Sequence, residues 1–377
     1  MSSLYFNNKK MNLIELTSNN CKSADILLND NISNKTKTVF DYISFIKIIS
    51  AYSVIILHTN PFFGDNFKNK KKWIISNFIE QFFHFGVPFF VLCIGATLLD
   101  FNEHYGLKEY YKRRFFKVIF PLISWNIILY YYRIYFVKNL KKNTFDIVKL
   151  LNMFFRNKIY GLFYSFHIFI ITYMIIPLLA YVEKPKKIEI YIYCFSTLLV
   201  TQSLIPYLIF VFKLKLCWPY KIEAGYIIYI FSGYIIQNKK FSRKIKIFIY
   251  FIGLISFLIQ VIGTHILTYK HNSVMLKHTG YLKLPTILYC NSLFLLIKEY
   301  NEFIFKVFNK KIINILGSLT IGPFFLHWPV IDFFRKYPKL IFNINLISFY
   351  GGSLICIICF LLTYIFKRIP IIKHLLP

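Results

Sequence analysis

Apolar runs of about membrane-spanning length alternate along this chain with short polar and cationic interruptions. Ten such runs can be counted, centred on Tyr52, Phe90, Ile127, Ile171, Leu198, Ile230, Ile255, Leu293, Ile321 and Cys356. In lipid, backbone polar groups must be hydrogen-bonded within their own segment, so runs of this length predict helices that cross a membrane. We therefore expect an all-α, polytopic integral membrane protein with about ten transmembrane helices.

No linker or shift in composition divides this set of apolar runs. The sequence predicts one membrane domain over residues 41–366, with a polar tail over residues 1–40 and a short basic tail over residues 367–377. With an even number of spans, both tails lie on one side of the membrane. Lys and Arg are in modest excess in the loops on that side, which by the positive-inside rule predicts cytoplasmic termini.

Composition supports the same class. Hydrophobic residues make up 56% of the 377 residues and aromatic residues 20%, while the formal net charge is +30. The lysines are scattered through nearly every loop and form no basic domain interleaved with aromatic residues, so we expect no nucleic-acid partner. The positive charge suits membrane topology and contact with anionic lipid or an anionic substrate.

Two ionisable residues, Lys47 and His58, interrupt the first apolar run. Their separation of eleven positions is close to three helical turns, or about 16 Å, so both side chains should leave nearly the same face, with His58 deep in the span. An ionisable group at membrane depth indicates a functional site, and a buried histidine can act as a general base or carry an acyl group. The alternative is a histidine that only hydrogen-bonds a neighbouring helix. We favour catalysis.

A second group of cations precedes the third apolar run, where Lys112, Arg113, Arg114 and Lys117 lie within two helical turns. Guanidinium groups bind phosphates in bidentate fashion and lysine adds point charge, so the cluster suits a phosphate-bearing ligand. An ordinary positive-inside anchor is the alternative. Further along, His327 precedes Trp328 and Pro329 in the ninth run, where it either faces His58 across a central cavity or is a packing residue near the membrane interface.

Other well-known motifs are missing. The chain has no Walker loop, no G-x-G-x-x-G, no H-E-x-x-H and no G-x-S-x-G. These motifs mark ATP-driven transport, dehydrogenase chemistry, zinc proteolysis and α/β-hydrolase chemistry, which therefore have no support here.

Several separated segments resemble the membrane-bound acyltransferase type 3 family, whose members O-acylate carbohydrates at bacterial surfaces. The family has an arginine, ten intervening residues and a histidine in its first helix, and Lys47 and His58 stand at those positions. Its V-P-x-F-F-x-x-x-x-G run is present from Val87 as VPFFVLCIGATLL.

Three later signatures complete the resemblance over about residues 41–366. They are R-x-x-R before a helix proline, an aromatic segment ending in Y-x-x-x-P, and G-x-x-T-x-G-x-x-x-x-H. The matching residues are Arg114, Lys117 and Pro121; Tyr173 and Pro177; and Gly317, Thr320, Gly322 and His327. Three positions depart from the pattern besides Lys47: lysine at Lys117 replaces arginine, Ser44 replaces an aspartate, and Tyr164 replaces a tryptophan.

The resemblance implies an enzyme of a prokaryotic plasma membrane that moves an acyl group, in particular acetyl, from acyl-CoA to a carbohydrate hydroxyl. Arg113, Arg114 and Lys117 would hold the CoA phosphates, while His58 either deprotonates the acceptor or carries the acyl group. Lys47 would orient the donor or stabilise negative charge. His327 and Tyr164 would contact the catalytic side chains and position them, without touching the substrates.

The same resemblance implies that no metal or bound cofactor takes part, because acyl-CoA is a substrate. The lipid bilayer, acyl-CoA and a carbohydrate are the expected partners, with a separate extracytoplasmic transferase for any onward transfer. A non-enzymatic carrier or flippase that uses Lys47 and His58 as a substrate or proton site is the alternative from another class. A carrier would be expected to show paired repeats, and none is found in the sequence.

Overall fold

A computed structural model describes residues 41–60, 63, 67, 69–137, 148, 151–153, 156, 164–215, 224–337, 347–370 and 372–376. All regular elements in these ranges are helices, which confirms the predicted all-α class. The described residues from Tyr42 onward form one compact unit, and the contacts discussed below lie within it.

The helices of the first part of the chain carry most of the residues that line the cavity described below. They are α1 (Asp41–His58), α2 (Lys70–Phe82), α3 (Gly86–Leu98), α4 (Leu107–Val137), α5 (Tyr164–Ala180) and α6 (Lys184–Phe212). The helices of the second part pack around and against these. They are α7 (Ile227–Asn238), α8 (Arg243–His271), α9 (Leu284–Glu299), α10 (Asn301–Val307), α11 (Lys310–Leu319), α12 (Ile321–Lys336) and α13 (Gly352–Phe366).

Local chemistry fixes several helix starts. Asn69 caps α2 by accepting a hydrogen bond from the backbone N–H of Lys72, and Asn309 caps α11 in the same way. Such caps satisfy N–H groups that have no partner within the helix. Pro185 and Pro285 stand in the first turns of α6 and α9, where the missing proline N–H costs no hydrogen bond.

Six helical segments in the described ranges are long and apolar enough to cross a membrane, and a seventh results if the bent pair α11 and α12 counts as one span. The expected number was about ten, although a helix lies at every predicted centre. Helix α7 shows why the count differs. It has 12 residues, or about 18 Å, and residues 228–236 are all buried. Hydropathy does not distinguish a helix surrounded by protein from one surrounded by lipid.

Helices α3 and α7 cross at a pair of glycines. A Cβ at Gly95 would overlap the backbone of Ile230, and a Cβ at Gly233 would overlap the backbone of Leu92. Small residues at such a crossing let two backbones approach closely, which is how van der Waals packing drives helix association in a membrane. The opposite side of α3 is thereby held in a fixed position for the cavity described below.

A buried lysine joins the ends of three helices. The Lys187 ammonium, at the start of α6, donates to the carbonyls of Leu99 and Ala180, at 3.0 Å each, and to Asp100 Oδ1 at 2.9 Å. These carbonyls follow or end α3 and α5, where the helix dipole favours a cation. All three ammonium protons therefore have acceptors, and the charge is compensated.

Residues 367–377, expected to be a basic tail, contain packed structure in their described part. The indole N–H of Trp125 on α4 donates to the carbonyl of Leu375 at 2.9 Å, and Leu376 is fully buried. The end of the chain is thus held against α4.

We expect Gly95→Ala to destabilise the protein by about 1–3 kcal/mol, the usual cost of overpacking, because the added methyl meets backbone that cannot rotate away. Thermal unfolding in detergent would measure the loss. Gly106→Ala is the matched control, since a Cβ at Gly106 meets nothing within 4 Å. Equal melting temperatures for the two variants would contradict the proposed role of the crossing.

Candidate active site: a cationic cavity and a histidine pair

A cavity of about 500 Å³ lies among α1, α3, α4, α5 and the α11–α12 bend. Its size is within the range of small-molecule sites, about 300–1,000 Å³. Part of its wall is apolar, formed by Phe90, Cys93, Ile94, Leu98, Phe169 and Phe324. The rest carries hydroxyl and cationic side chains. The cavity therefore suits a ligand that has both an anionic and an apolar part.

Four cations line this cavity: Lys47 from α1, Arg114 and Lys117 from α4, and Lys367 just beyond α13. None of its described lining residues is acidic. Like charges brought together in a partly desolvated site raise each other's energy, and a bound anion relieves that repulsion. The lining thus favours a ligand with more than one negative charge.

Arg114 is held in place by aromatic rings. Its guanidinium carbon lies 5.6 Å from the ring centroid of Tyr110 and 5.5 Å from that of Tyr173, within the range of cation–π attraction. The Tyr110 hydroxyl in turn donates to the carbonyl of Tyr173 at 2.9 Å. The arginine is therefore oriented before any ligand binds. A π-helical turn, a feature common at functional sites, begins at the next residue and contains Lys117.

Lys367 is a cavity residue that the sequence did not single out. Its ammonium donates to the carbonyl of Ser318 at 3.1 Å, and burial lowers its pKa. In the sequence it looks like any cation that follows a membrane span. Only the packing of α13 beside α11 and α12 brings it to Arg114 and Lys117.

The bend between α11 and α12 brings a helix N-terminus to the cavity wall. The two helices meet at 65° around Thr320, and Thr320 and Ile321 both line the cavity. Pro323 has no N–H to offer the carbonyl of Leu319, so the helical hydrogen bonding is interrupted here. The backbone N–H groups and the dipole at the start of α12 add to the positive potential of the four cations.

His58 and His327 form a stacked pair beyond the cavity. Their ring centroids are 5.5 Å apart with the planes at 20°, and the ring of Trp328 lies 5.5 Å from that of His58. His327 is fully buried, and its Nδ1 lies 2.8 Å from the carbonyl oxygen of Pro323. A carbonyl only accepts, so Nδ1 carries a proton, and in the neutral imidazole Nε2 then keeps its lone pair. That Nε2 has no hydrogen-bond partner among the described residues.

The predicted residues separate into three groups in space. Lys47, Arg114 and Lys117 share the cavity lining, whereas His58 is the last residue of α1, about 16 Å further along that helix, and does not line it. The expected position of His58 deep within a span is therefore wrong, because α1 ends at this residue. His327 stacks directly on His58, without the central cavity expected between them.

One further candidate, Arg113, lies elsewhere. Arg113 does not line the cavity; its Nε donates to Glu109 at 2.8 Å, and its guanidinium lies over the ring of Tyr105. The side chain of Tyr164, at the start of α5, lies outside the described part of the structure. In the ranges that are described, no three His, Cys, Asp or Glu side chains are grouped so as to bind a metal ion.

Comparison with protein families identifies the class of enzyme. A family model described as an acyltransferase domain matches residues 40–368. The chain belongs to this acyltransferase family. No curated protein and no solved structure matches it. The match covers nearly the whole chain and confirms the resemblance to the type 3 family.

The chain is therefore a multi-pass membrane acyltransferase, of a family that generally acylates carbohydrates. Both the cationic cavity and the histidine pair lie inside the matched range. An acyltransferase needs a site for an activated donor and a group that handles the acyl carbon or the acceptor proton. These two parts of the structure are the candidates for those tasks.

We expect inorganic pyrophosphate to stabilise the acyltransferase against heat, because a ligand that binds only the folded state raises its stability. The shift in melting temperature should shrink in Lys367→Gln and at high salt, since one of four cavity charges is removed or all are screened. Lys240→Gln, an exposed lysine outside the cavity lining, should behave as wild type. An undiminished shift in Lys367→Gln would contradict anion binding in this cavity.

Proposed function

We propose that this acyltransferase moves an acyl group, acetyl in particular, from acyl-CoA to a hydroxyl of a cell-surface carbohydrate. The observation that carries the proposal is the cavity in which four cations and a helix N-terminus converge beside an apolar wall. Coenzyme A has the matching chemistry: several phosphate charges at one end and a slender, thioester-bearing arm at the other.

The phosphates would bind the cationic side of the cavity. Arg114, fixed between two tyrosines, supplies a planar fork for phosphate oxygens, and Lys117 and Lys367 supply point charges. Lys47 would stabilise negative charge that develops on the thioester sulfur or oxygen. Its position in the cavity lining, away from His58, supports contact with the donor.

The cavity lies near the end of the protein at which α1 begins. We propose that this end faces the cytoplasm, where acyl-CoA is made, in the plasma membrane of a prokaryote. The modest excess of Lys and Arg in the loops on the side of the termini supports this orientation. His58, at the opposite end of α1, would then lie toward the acceptor.

In the proposed reaction the C–S bond of the thioester breaks and a bond forms between the acyl carbon and the acceptor oxygen. The proton of the acceptor hydroxyl ends on the CoA thiol. His58 either removes that proton during direct attack or first takes the acyl group on a ring nitrogen and passes it on. The anchored ring of His327, with its Nε2 lone pair, would orient His58 and hold a proton in either route.

We expect His58→Ala to reduce transfer of labelled acetyl from acetyl-CoA to envelope glycan by about 10²–10⁴-fold, the usual contribution of a general base. Membranes with equal amounts of each protein would be compared. His271→Ala is the control, because His271 is exposed at the end of α8. Wild-type transfer by His58→Ala would refute a role in the chemistry. An acetylated His58 peptide that accumulates without acceptor would favour the relay.

The neighbouring arginines provide a second test. We expect Arg114→Gln to raise the KM for acetyl-CoA about 10–100-fold, since a hydrogen bond to a charged group contributes about 1.5–3 kcal/mol. Arg113→Gln should change it little, because Arg113 is paired with Glu109 outside the cavity. Steady-state kinetics in membranes would measure both. If Arg113→Gln has the larger effect, the phosphates bind elsewhere.

A further inference from the structure

Three phenylalanines close the cavity on the side of the histidine pair. We name Phe90 of α3, Phe169 of α5 and Phe324 of α12 the aromatic barrier. The ring centroid of Phe324 lies 5.6 Å from that of Phe90 and 6.4 Å from that of Phe169, both edge to face. All three line the cavity. Edge-to-face packing from three different helices makes this wall continuous and apolar.

Phe324 is the member that touches both sites. Its ring faces the cavity, yet its centroid is 6.2 Å from that of His327, which stacks on His58. The two residues are three positions apart on α12, so they lie on one face of the helix. Phe324 is only 7% exposed, so the open space beside its ring is the cavity itself. Starting from the cavity, one meets first Phe324, then His327 and then His58.

This order constrains the donor, because an acyl group that enters from the cavity must pass the ring of Phe324 to react at His58. If phosphates are held by Arg114, Lys117 and Lys367, the acyl end of the molecule points to the barrier, because the remaining cavity wall there is apolar. Each methylene added to the acyl chain then needs volume that the ring of Phe324 fills. Close-packed protein interiors do not yield such volume without cost.

We propose that the ring of Phe324 determines acyl-chain specificity and restricts the enzyme to short acyl groups. This inference rests on the proposed use of acyl-CoA as donor. A smaller residue at position 324 opens space next to His327, and a longer acyl chain fills that space. Each methylene that becomes buried there stabilises the bound acyl group by about 0.8 kcal/mol. This corresponds to about a fourfold increase in the rate of transfer of the longer acyl group relative to acetyl.

The test is a competition between acetyl-CoA and butyryl-CoA at one acceptor, with both glycan products measured by mass spectrometry. Butyryl has two more methylenes than acetyl, so Phe324→Leu or Phe324→Ala should raise the ratio of butyryl to acetyl product by up to about 15-fold over wild type. The ratio is a useful readout because partial misfolding lowers both products together and leaves it unchanged.

Phe325→Leu is the matched control. Phe325 is the next residue of α12 and is 1% exposed, but it stacks on Trp125 of α4 and does not line the cavity. It should lose stability as Phe324→Leu does and keep the wild-type product ratio.

A Phe324 variant with the wild-type product ratio, or a wild type that already prefers butyryl, would overturn the inference while leaving acyl transfer from CoA intact. No product from either donor in wild type would instead overturn the proposed function.

Discussion

The close crossing of α3 and α7 is the constraint on which the site depends. In lipid there is little hydrophobic gain from bringing two helices together, so association relies on contact between surfaces that fit closely. Gly95 and Gly233 allow that contact by removing side chains where the backbones meet. Helix α3 is thus fixed on one side by α7, while Phe90, Ile94 and Thr97 line the cavity. Lys187 holds the end of the same helix, because its ammonium donates hydrogen bonds to Leu99, Asp100 and Ala180.

The four cations of the cavity repel one another when no anion is bound, which lowers the stability of the protein and favours anion binding. Separate helices bring Lys47, Arg114, Lys117 and Lys367 together, so their repulsion is balanced by packing elsewhere in the bundle. The proposed polyanionic donor would relieve this repulsion and would bind side chains that are already oriented, above all Arg114 beside its two tyrosines. Preorganised charge of this kind needs little rearrangement on binding.

The cationic cavity and the histidine pair are separate, and this separation suits the proposed reaction, in which the two substrates come from opposite sides of a membrane. Lys47 lies among the cavity residues, whereas His58 ends α1 beside His327 and Trp328. The aromatic barrier lies between them, and for the proposed acyl-CoA donor this apolar wall would keep water from the thioester and limit its hydrolysis. The hydrogen bond from His327 Nδ1 to the carbonyl of Pro323 fixes the tautomer of this buried imidazole.

The sequence by itself determined the class of protein. Long apolar runs can satisfy their backbone in lipid only as helices, and separated signatures such as Lys47 with His58, and Arg114 with Lys117, identified the acyltransferase family and most of the cavity cations. Residue spacing within one helix is readable because helical geometry is fixed. Tertiary structure alone decided which spans are short and enclosed by protein, that Arg113 turns away to Glu109, and that Lys367 joins Lys117 across 250 residues of chain. It also decided that Phe324 lies between the cavity and His327. These outcomes depend on contacts between distant helices, and neither hydropathy nor local spacing records which helices become neighbours.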